Sequence, residues 1–332
     1  MVLRRRTSPI ERMASGTDRS DAPLLKKLDR TRSRPWLLNS EDVPTWYAHN
    51  TYIRTGYRPV TPSARLCFES LAYLHNETVN VYSHLIPAVL ALLSNGLLYV
   101  YFTFSFPRAS WTDQLVFHVY LTTSMICFGI SSTYHTLLCH SAHFASLCAR
   151  FDYVAIIFQI IGSFISGLYM GFYCEPHLQK GYWSMISILG LLTGIVVVHP
   201  RLQSKEWRTL RLSTFVATAL SAFAPIIHAS CLFPYEQLDQ QAGLRYYYLE
   251  GLVLITGVFF YAVSSEYILE ARYSAHRSQT HFPESWKPEN FDIWGASHQI
   301  FHVLVFMASV IHFYGILVAF QWNYENQRCS PT

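Results

Sequence analysis

For most of its length this chain does not alternate apolar and polar positions; apolar residues run on. Seven runs are long enough to predict membrane-spanning helices, at about 81–104, 114–138, 153–173, 182–198, 212–232, 246–264 and 298–320. A spanning helix needs about 20 mostly apolar residues, because the hydrocarbon core is roughly 30 Å thick. The fourth run is short, the fifth holds Pro225, which predicts a kink, and the sixth carries Glu250. Helices rather than a barrel follow, since each segment must satisfy its own backbone groups. A soluble helical protein would need fewer and shorter runs. The predicted fold class is an all-α membrane protein, a seven-helix bundle.

Around these runs the pattern changes. Residues 1–45 read as a disordered basic tail: residues 1–34 hold ten Lys/Arg against four Asp/Glu, with Ser, Thr and Pro between. Such a tail is expected either to touch anionic lipid or to remain solvated without a specific partner. No cleavable signal peptide is visible, because no apolar segment follows the basic start. Residues 46–80 form an interfacial segment. Within it "SARLCFESLAYLH" sets Leu66, Ser70, Leu71 and Leu74 on one helical face and Arg65 and Glu69 on the other. Residues 81–320 carry the spans and 321–332 a short outer tail. The stretch "HFPESWKPENFDIW" has two prolines and two tryptophans and predicts an ordered interfacial loop.

Only 14% of residues are charged, against roughly a quarter in soluble domains. The placement of basic residues orients the bundle. With the amino terminus inside, the inner loops hold Arg150, Arg201, Lys205, Arg208, Arg211, Arg272, Arg277 and Lys287; the outer segments hold Arg108, Lys180, Arg245 and Arg328. The amino terminus is therefore expected in the cytoplasm and the carboxyl terminus outside. Seven cysteines show no paired spacing; Cys174, Cys231 and Cys329 fall on the outer side, where one disulfide could form.

Polar residues inside a bundle are costly, so each is a functional candidate. His135 lies near the inner end of the second span, Asp152 opens the third, and His298 and His302 open the seventh. The charge-derived orientation thus puts all four at the cytoplasmic end. Ser131 and His135, like His298 and His302, are four apart and share a helical face. Three imidazoles and a water make a tetrahedral zinc site with an open position; imidazole also suits copper and iron. The H-x-x-x-H spacing lacks the glutamate of H-E-x-x-H, so Asp152 is the available general base. Ser131 could bind a carbonyl or orient a ligand. "HNETVNVYSH" sets Glu77, Asn80 and His84 on one stripe entering the first span, either supporting the site or serving as ordinary capping. His312 lies about 21 Å from His298 along a helix, too far to share a metal. His118 and His228 also read as satisfied bundle residues, and Glu250 as a paired or snorkelling acid.

The stretches "SSTYHTLLCHS", "RFDY", "NETVNVYSHL" and "FDIWGASHQIFHVLVFMASVIHFYG" resemble the progestin and adipoQ receptor family, from about Tyr47 to Tyr314. That family includes the animal adiponectin receptors and the yeast zinc-homeostasis proteins; bacterial haemolysin-III-like proteins are similar. "HPRLQSKEWRTLRLSTFVATALS" is similar to the fungal branch as well as the animal one. The resemblance implies seven helices with an inverted orientation, and Zn2+ held by His135, His298 and His302, with Ser131 and Asp152 beside it.

Family members, and the similar alkaline ceramidases, are associated with zinc-dependent hydrolysis of the ceramide amide. The expected activity is therefore a ceramidase-like lipid amide hydrolase, with Asp152 and Ser131 catalytic. The alternative is a ligand-responsive receptor whose zinc is structural. A retinal protein fits poorly, since no predicted span holds a lysine for a Schiff base, and no ring of charges marks a pore. The expected partners are the membrane, a ceramide-like substrate, and an extracellular protein or small ligand, with no nucleic acid.

Overall fold

The computed structural model describes residues 37–48, 50–202, 204–263, 282–326 and 329, all within the unit Leu37–Thr332. The expected basic tail, apart from its last residues, lies outside the described residues. Ten α-helices are described: α1 (Ala64–Glu69), α2 (Thr78–Ser105), α3 (Trp111–Leu137), α4 (Ala142–Gly171), α5 (Pro176–Val198), α6 (Arg208–Leu220), α7 (Phe223–Leu232), α8 (Tyr235–Ala242), α9 (Leu244–Val263) and α10 (Ser297–Glu325). Local chemistry sets several boundaries. Ser110 accepts a hydrogen bond from Asp113 N–H and Asp113 accepts one from Ser110 N–H, a reciprocal cap that starts α3. Ser141 caps α4 in the simpler way, and Pro176 opens α5.

Six segments are long and apolar enough to cross a membrane: Thr78–Ser105, Trp111–Leu137, Ala142–Gly171, Pro176–Val198, Thr209–Leu232 and Ser297–Glu325. The protein is an integral, multi-pass membrane protein. The sixth expected span corresponds to α9, 20 residues long with Arg245 in its first turn; the residues just beyond it lie outside the description. Leu93, Leu97, Leu191, Ile195, Leu252 and Ile255 are exposed on the helix surfaces, as lipid-facing side chains are.

The fifth expected span is broken. α6 stops at Leu220 and α7 starts at Phe223. Pro225 has no N–H to give the Ser221 carbonyl, and its ring crowds that carbonyl. The chain tightens there instead: Ala222 N–H donates to Ala219 and Ala224 N–H to Ser221, each three residues back.

Consecutive helices from α2 to α6 pack on one another, while α10 packs on α9, α2, α8 and α4 and also meets α3. Close approach between α3 and α4 needs Gly162, where an added Cβ would lie 2.0 Å from Thr123 Oγ1. Gly243, between α8 and α9, takes φ +73°, and a Cβ there would meet the Gly315 carbonyl at 2.9 Å. One apolar core joins Phe102, Phe117, Tyr120, Met170 and Phe320; a second joins Tyr47, Tyr57 and Cys67 to Leu137 and Cys139. The second core seats residues 37–72 against the end of α3. In α1 the buried side is Cys67, with Ser70 just after it, whereas Leu66 and Leu74 are exposed. The amphipathic face expected there is therefore divided: Cys67 and Ser70 pack inward, Leu71 is half-buried, and Leu66 and Leu74 are exposed.

Candidate metal centre

Three helix ends and the body of a fourth helix meet at the site. The last turns of α3 bring Ser131 and His135, the first turns of α10 bring His298 and His302, α4 brings Asp152, and the start of α2 brings Glu77, Asn80, Ser83 and His84. One ligand atom from each of His135, His298 and His302 lies within 4.8 Å of the others. His298 Nε2 and His302 Nε2 are 3.2 Å apart, and the His135 ring stands 4.7 Å from that of His302. His135 and His302 are buried and His298 is half-buried. The structure thus brings together all three histidines that the sequence nominates.

What lies behind the rings decides what their front nitrogens can do. His135 Nδ1 pairs with Glu77 Oε2 at 2.8 Å, and the same oxygen accepts from Asn80 Nδ2 at 2.7 Å. His302 Nδ1 faces the Asn80 carbonyl at 3.2 Å. Each Nδ1 therefore carries the proton and donates it, leaving the Nε2 lone pair to face the centre. His135 Nε2 is buried with no hydrogen-bond partner, a costly state for a polar atom unless something meets it. A cation would satisfy all three rings at once, and a backing acid or carbonyl is the usual companion of a metal-ligating imidazole. The donor set fits a metal ion. Three nitrogen ligands also leave a coordination position open.

Several residues hold the ligands in place. Arg58 is 1% exposed and donates to the carbonyls of His135 at 2.7 Å and Thr136 at 2.8 Å, and to Ser70 Oγ. A cation at a helix carboxyl end also opposes the helix dipole. Gln299 Oε1 accepts from Ala296 N–H, and its amide donates to the Asn76 and Ile293 carbonyls. The buried Glu284 accepts from Ser297 Oγ at 2.6 Å. These contacts fix the first turn of α10 to the lead of α2 and to the 282–296 loop, which forms turns rather than helix.

Asp152 is half-buried and faces Ser131, within electrostatic reach of His135. Ser131 Oγ also meets His84 Nδ1 at 2.8 Å. The His84 ring lies flat on His302, with centroids 3.9 Å apart and planes 13° apart. Glu77, Asn80 and His84 are thus part of the site's support. The polar stripe at the start of the first span signalled them. Arg58 and Gln299 carried no such signal, because their roles depend on how loops pack. Elsewhere, His312 Nδ1 pairs with Glu250 at 2.9 Å and its Nε2 with Ser166, while His118 meets Asn95 and His228 meets Tyr182. All three are satisfied bundle residues, as expected, and Glu250 is paired.

Residues 72–313 match the model of the haemolysin-III related family. The chain belongs to that family. Its relatives include an adiponectin receptor protein of Drosophila melanogaster, 33% identical over 87% of this chain and 61% of the fly protein. The ADIPOR-like receptor IZH2 of Saccharomyces cerevisiae is 31% identical over 94% of this chain and 92% of its own length. The heptahelical transmembrane protein 3 of Arabidopsis thaliana is 30% identical over 91% and 92%. This haemolysin-III-related, adiponectin-receptor-like chain spans less than two thirds of the fly receptor. The match takes in Glu77, Ser131, His135, Asp152, His298 and His302.

Proposed function

We propose that this chain is a seven-span zinc enzyme that hydrolyses the amide of a ceramide-like lipid, with its amino terminus in the cytoplasm. The observation that carries the reading is the meeting of three imidazoles, with the far nitrogens of His135 and His302 already engaged and an acid and a hydroxyl beside them. Zinc fits three neutral imidazoles, and when bound it supplies an acidified water and polarises a carbonyl. In this reading Asp152 takes the proton of the attacking water, and its protonation frees the Ser131 hydroxyl hydrogen to turn to the substrate carbonyl or the attacking oxygen. Glu77 and the Asn80 carbonyl keep the His135 and His302 rings turned toward the metal. The acyl chain lies among the apolar residues of the bundle.

The seventh span would be α9 with its continuation, in keeping with the plant relative's name of heptahelical protein. The orientation is supported by the Cys174–Cys329 disulfide, since disulfides persist on the oxidising side of a membrane. Cys329 follows the end of α10, whereas the histidines stand at its start.

A second reading, favoured by the receptor names of the relatives, makes the chain a ligand-responsive receptor with a structural zinc. One experiment separates the two. Purified wild type and Asp152→Ala in detergent are assayed together for zinc and for fatty acid released from a ceramide panel. A variant that keeps zinc and loses release supports the enzyme. Wild type that holds zinc and releases nothing from any ceramide supports the receptor.

A further inference from the structure

A metal at the three imidazoles accounts for the unpartnered His135 nitrogen but leaves another unexplained. His84 is 4% exposed, and its Nε2 is buried with no hydrogen-bond partner. It is not one of the three residues whose ligand atoms lie within 4.8 Å of one another. Its ring stacks parallel on His302, so its in-plane lone pair runs beside the metal group rather than into it.

The neighbours decide which nitrogen holds the proton. Ser131 has one hydroxyl hydrogen and faces Asp152 on one side and His84 Nδ1, at 2.8 Å, on the other. An ionised carboxylate can only accept, so the hydroxyl hydrogen goes to Asp152. The contact to His84 is then an Nδ1–H donating to Ser131 Oγ. A neutral imidazole with its proton on Nδ1 has a bare acceptor at Nε2. Asp152, Ser131 and His84 thus form a directed chain ending in a buried acceptor beside the candidate metal group.

We propose that His84 Nε2 accepts a hydrogen bond from the polar head of the lipid amide, from the amide N–H or a hydroxyl next to it. The substrate class rests on the hydrolytic reading above; the need for a donor rests on the buried, unpartnered His84 Nε2 and on Ser131 lying between His84 Nδ1 and an ionised Asp152. A lipid amide with hydroxyls close to the amide offers the donor and, on the carbonyl, the acceptor that the site's other groups require. A fully esterified lipid has neither the N–H nor a free hydroxyl beside it and lacks that donor, so His84 would help select among lipids that share an acyl chain.

Two substitutions separate this role from simple support of Ser131. His84→Asn keeps an amide N–H near the Nδ1 position and removes the Nε2 acceptor. His84→Gln extends a carbonyl oxygen toward the Nε2 position and gives up the Ser131 contact. Zinc-loaded wild type and both variants in detergent are compared for zinc content, for Kd toward a fluorescent short-chain ceramide, and for Kd toward its analogue with N–H and hydroxyls methylated. The Asn variant is expected to keep zinc, bind the ceramide about tenfold more weakly and bind the methylated analogue as wild type does; the Gln variant is expected to recover part of the ceramide affinity.

Three results would overturn the assignment. One is a wild type that binds ceramide no tighter than the methylated analogue. Another is an Asn variant that weakens both ligands equally, which makes His84 a packing residue. The third is loss of zinc in the Asn variant, which puts His84 in support of the metal. Fatty acid release in the same samples tests the other reading separately. If wild type selects ceramide through His84 yet releases nothing, hydrolysis falls and the donor site stands.

Discussion

His135 is ready for a metal because an acid on another helix holds its back. Glu77 stands immediately before α2, so its charge also meets the positive end of that helix. Replacing a group that orients a ligating imidazole commonly costs 10–100-fold in metal affinity. Glu77→Ala is therefore expected to weaken zinc retention by about 10–100-fold in a chelator competition, with the fold intact by circular dichroism. His75, two residues earlier, bears on stability instead. Burial, with Arg58 acting in the same direction, pushes its imidazole down to about 3. The unfolded chain binds this proton below about pH 6.5 and the folded protein does not, so stability is lost as pH falls. At pH 5.5 the loss is about 1.4 kcal/mol for this group alone. His75→Gln should remove that part of the acid sensitivity, read as the difference between variant and wild-type melting between pH 7.5 and 5.5. The Ser131–His135 and His298–His302 pairs were legible because a spacing of four states a shared face without reference to any other helix. The backing of His135 was not: the polar stripe at Glu77 marks a face, but only the packing of α2 on α3 says which atom meets it.

Between helices, the buried polar contacts divide by depth. The metal group lies where α3 ends and α10 begins; Glu250 and His312 join α9 to α10 about 21 Å farther along α10, at 1.5 Å per residue. His312 is 2% exposed and stacks on Tyr120 at 4.7 Å, so it cannot turn to water if its acid is lost. Glu250→Ala is expected to cost about 1–3 kcal/mol, the range for a buried polar group left unmatched. Melting in detergent should fall while zinc content holds; loss of zinc would mean that the two depths are coupled. Adding His312→Leu should recover much of the stability, because an apolar pair leaves nothing unmatched. Helix existence was readable from run length alone, and five of the seven expected runs match a single described helix that qualifies as a span. The break between α6 and α7 was signalled by Pro225, but its position was not, because the proline disrupts the carbonyl four residues before it. α9 was the hardest to read: Arg245 and Glu250 dilute its run, and only the structure shows that Glu250 meets His312 and Arg245 meets Asp239.

Across the whole molecule the two ends of the bundle differ in chemistry, and that difference is the strongest physical statement about orientation. At the end that carries the histidines, the lead 37–60 and the 282–296 loop lock together: Asp292 accepts from Arg54 N–H, Thr55 N–H and Thr55 Oγ. At that end Cys67 and Cys139 are buried and free, and Cys148 is half-buried and free. At the other end Cys174, just past α4, is joined to Cys329 across 155 residues, while the exposed Cys231 is free. In the proposed orientation the disulfide end faces an oxidising compartment and the end with the buried free cysteines a reducing one, which agrees with the excess of Lys and Arg expected inside. The proposed orientation puts the two termini on opposite sides, and that needs an odd number of spans. Different epitope tags at the two termini test it. When only the plasma membrane is permeabilised with digitonin, the amino-terminal tag should become reachable to antibody. The carboxyl-terminal tag should be reachable from the outside of intact cells, or, if the protein resides in an internal membrane, only after full solubilisation. Both tags reachable together after digitonin would instead require an even number of spans and leave α9 outside the membrane-crossing set.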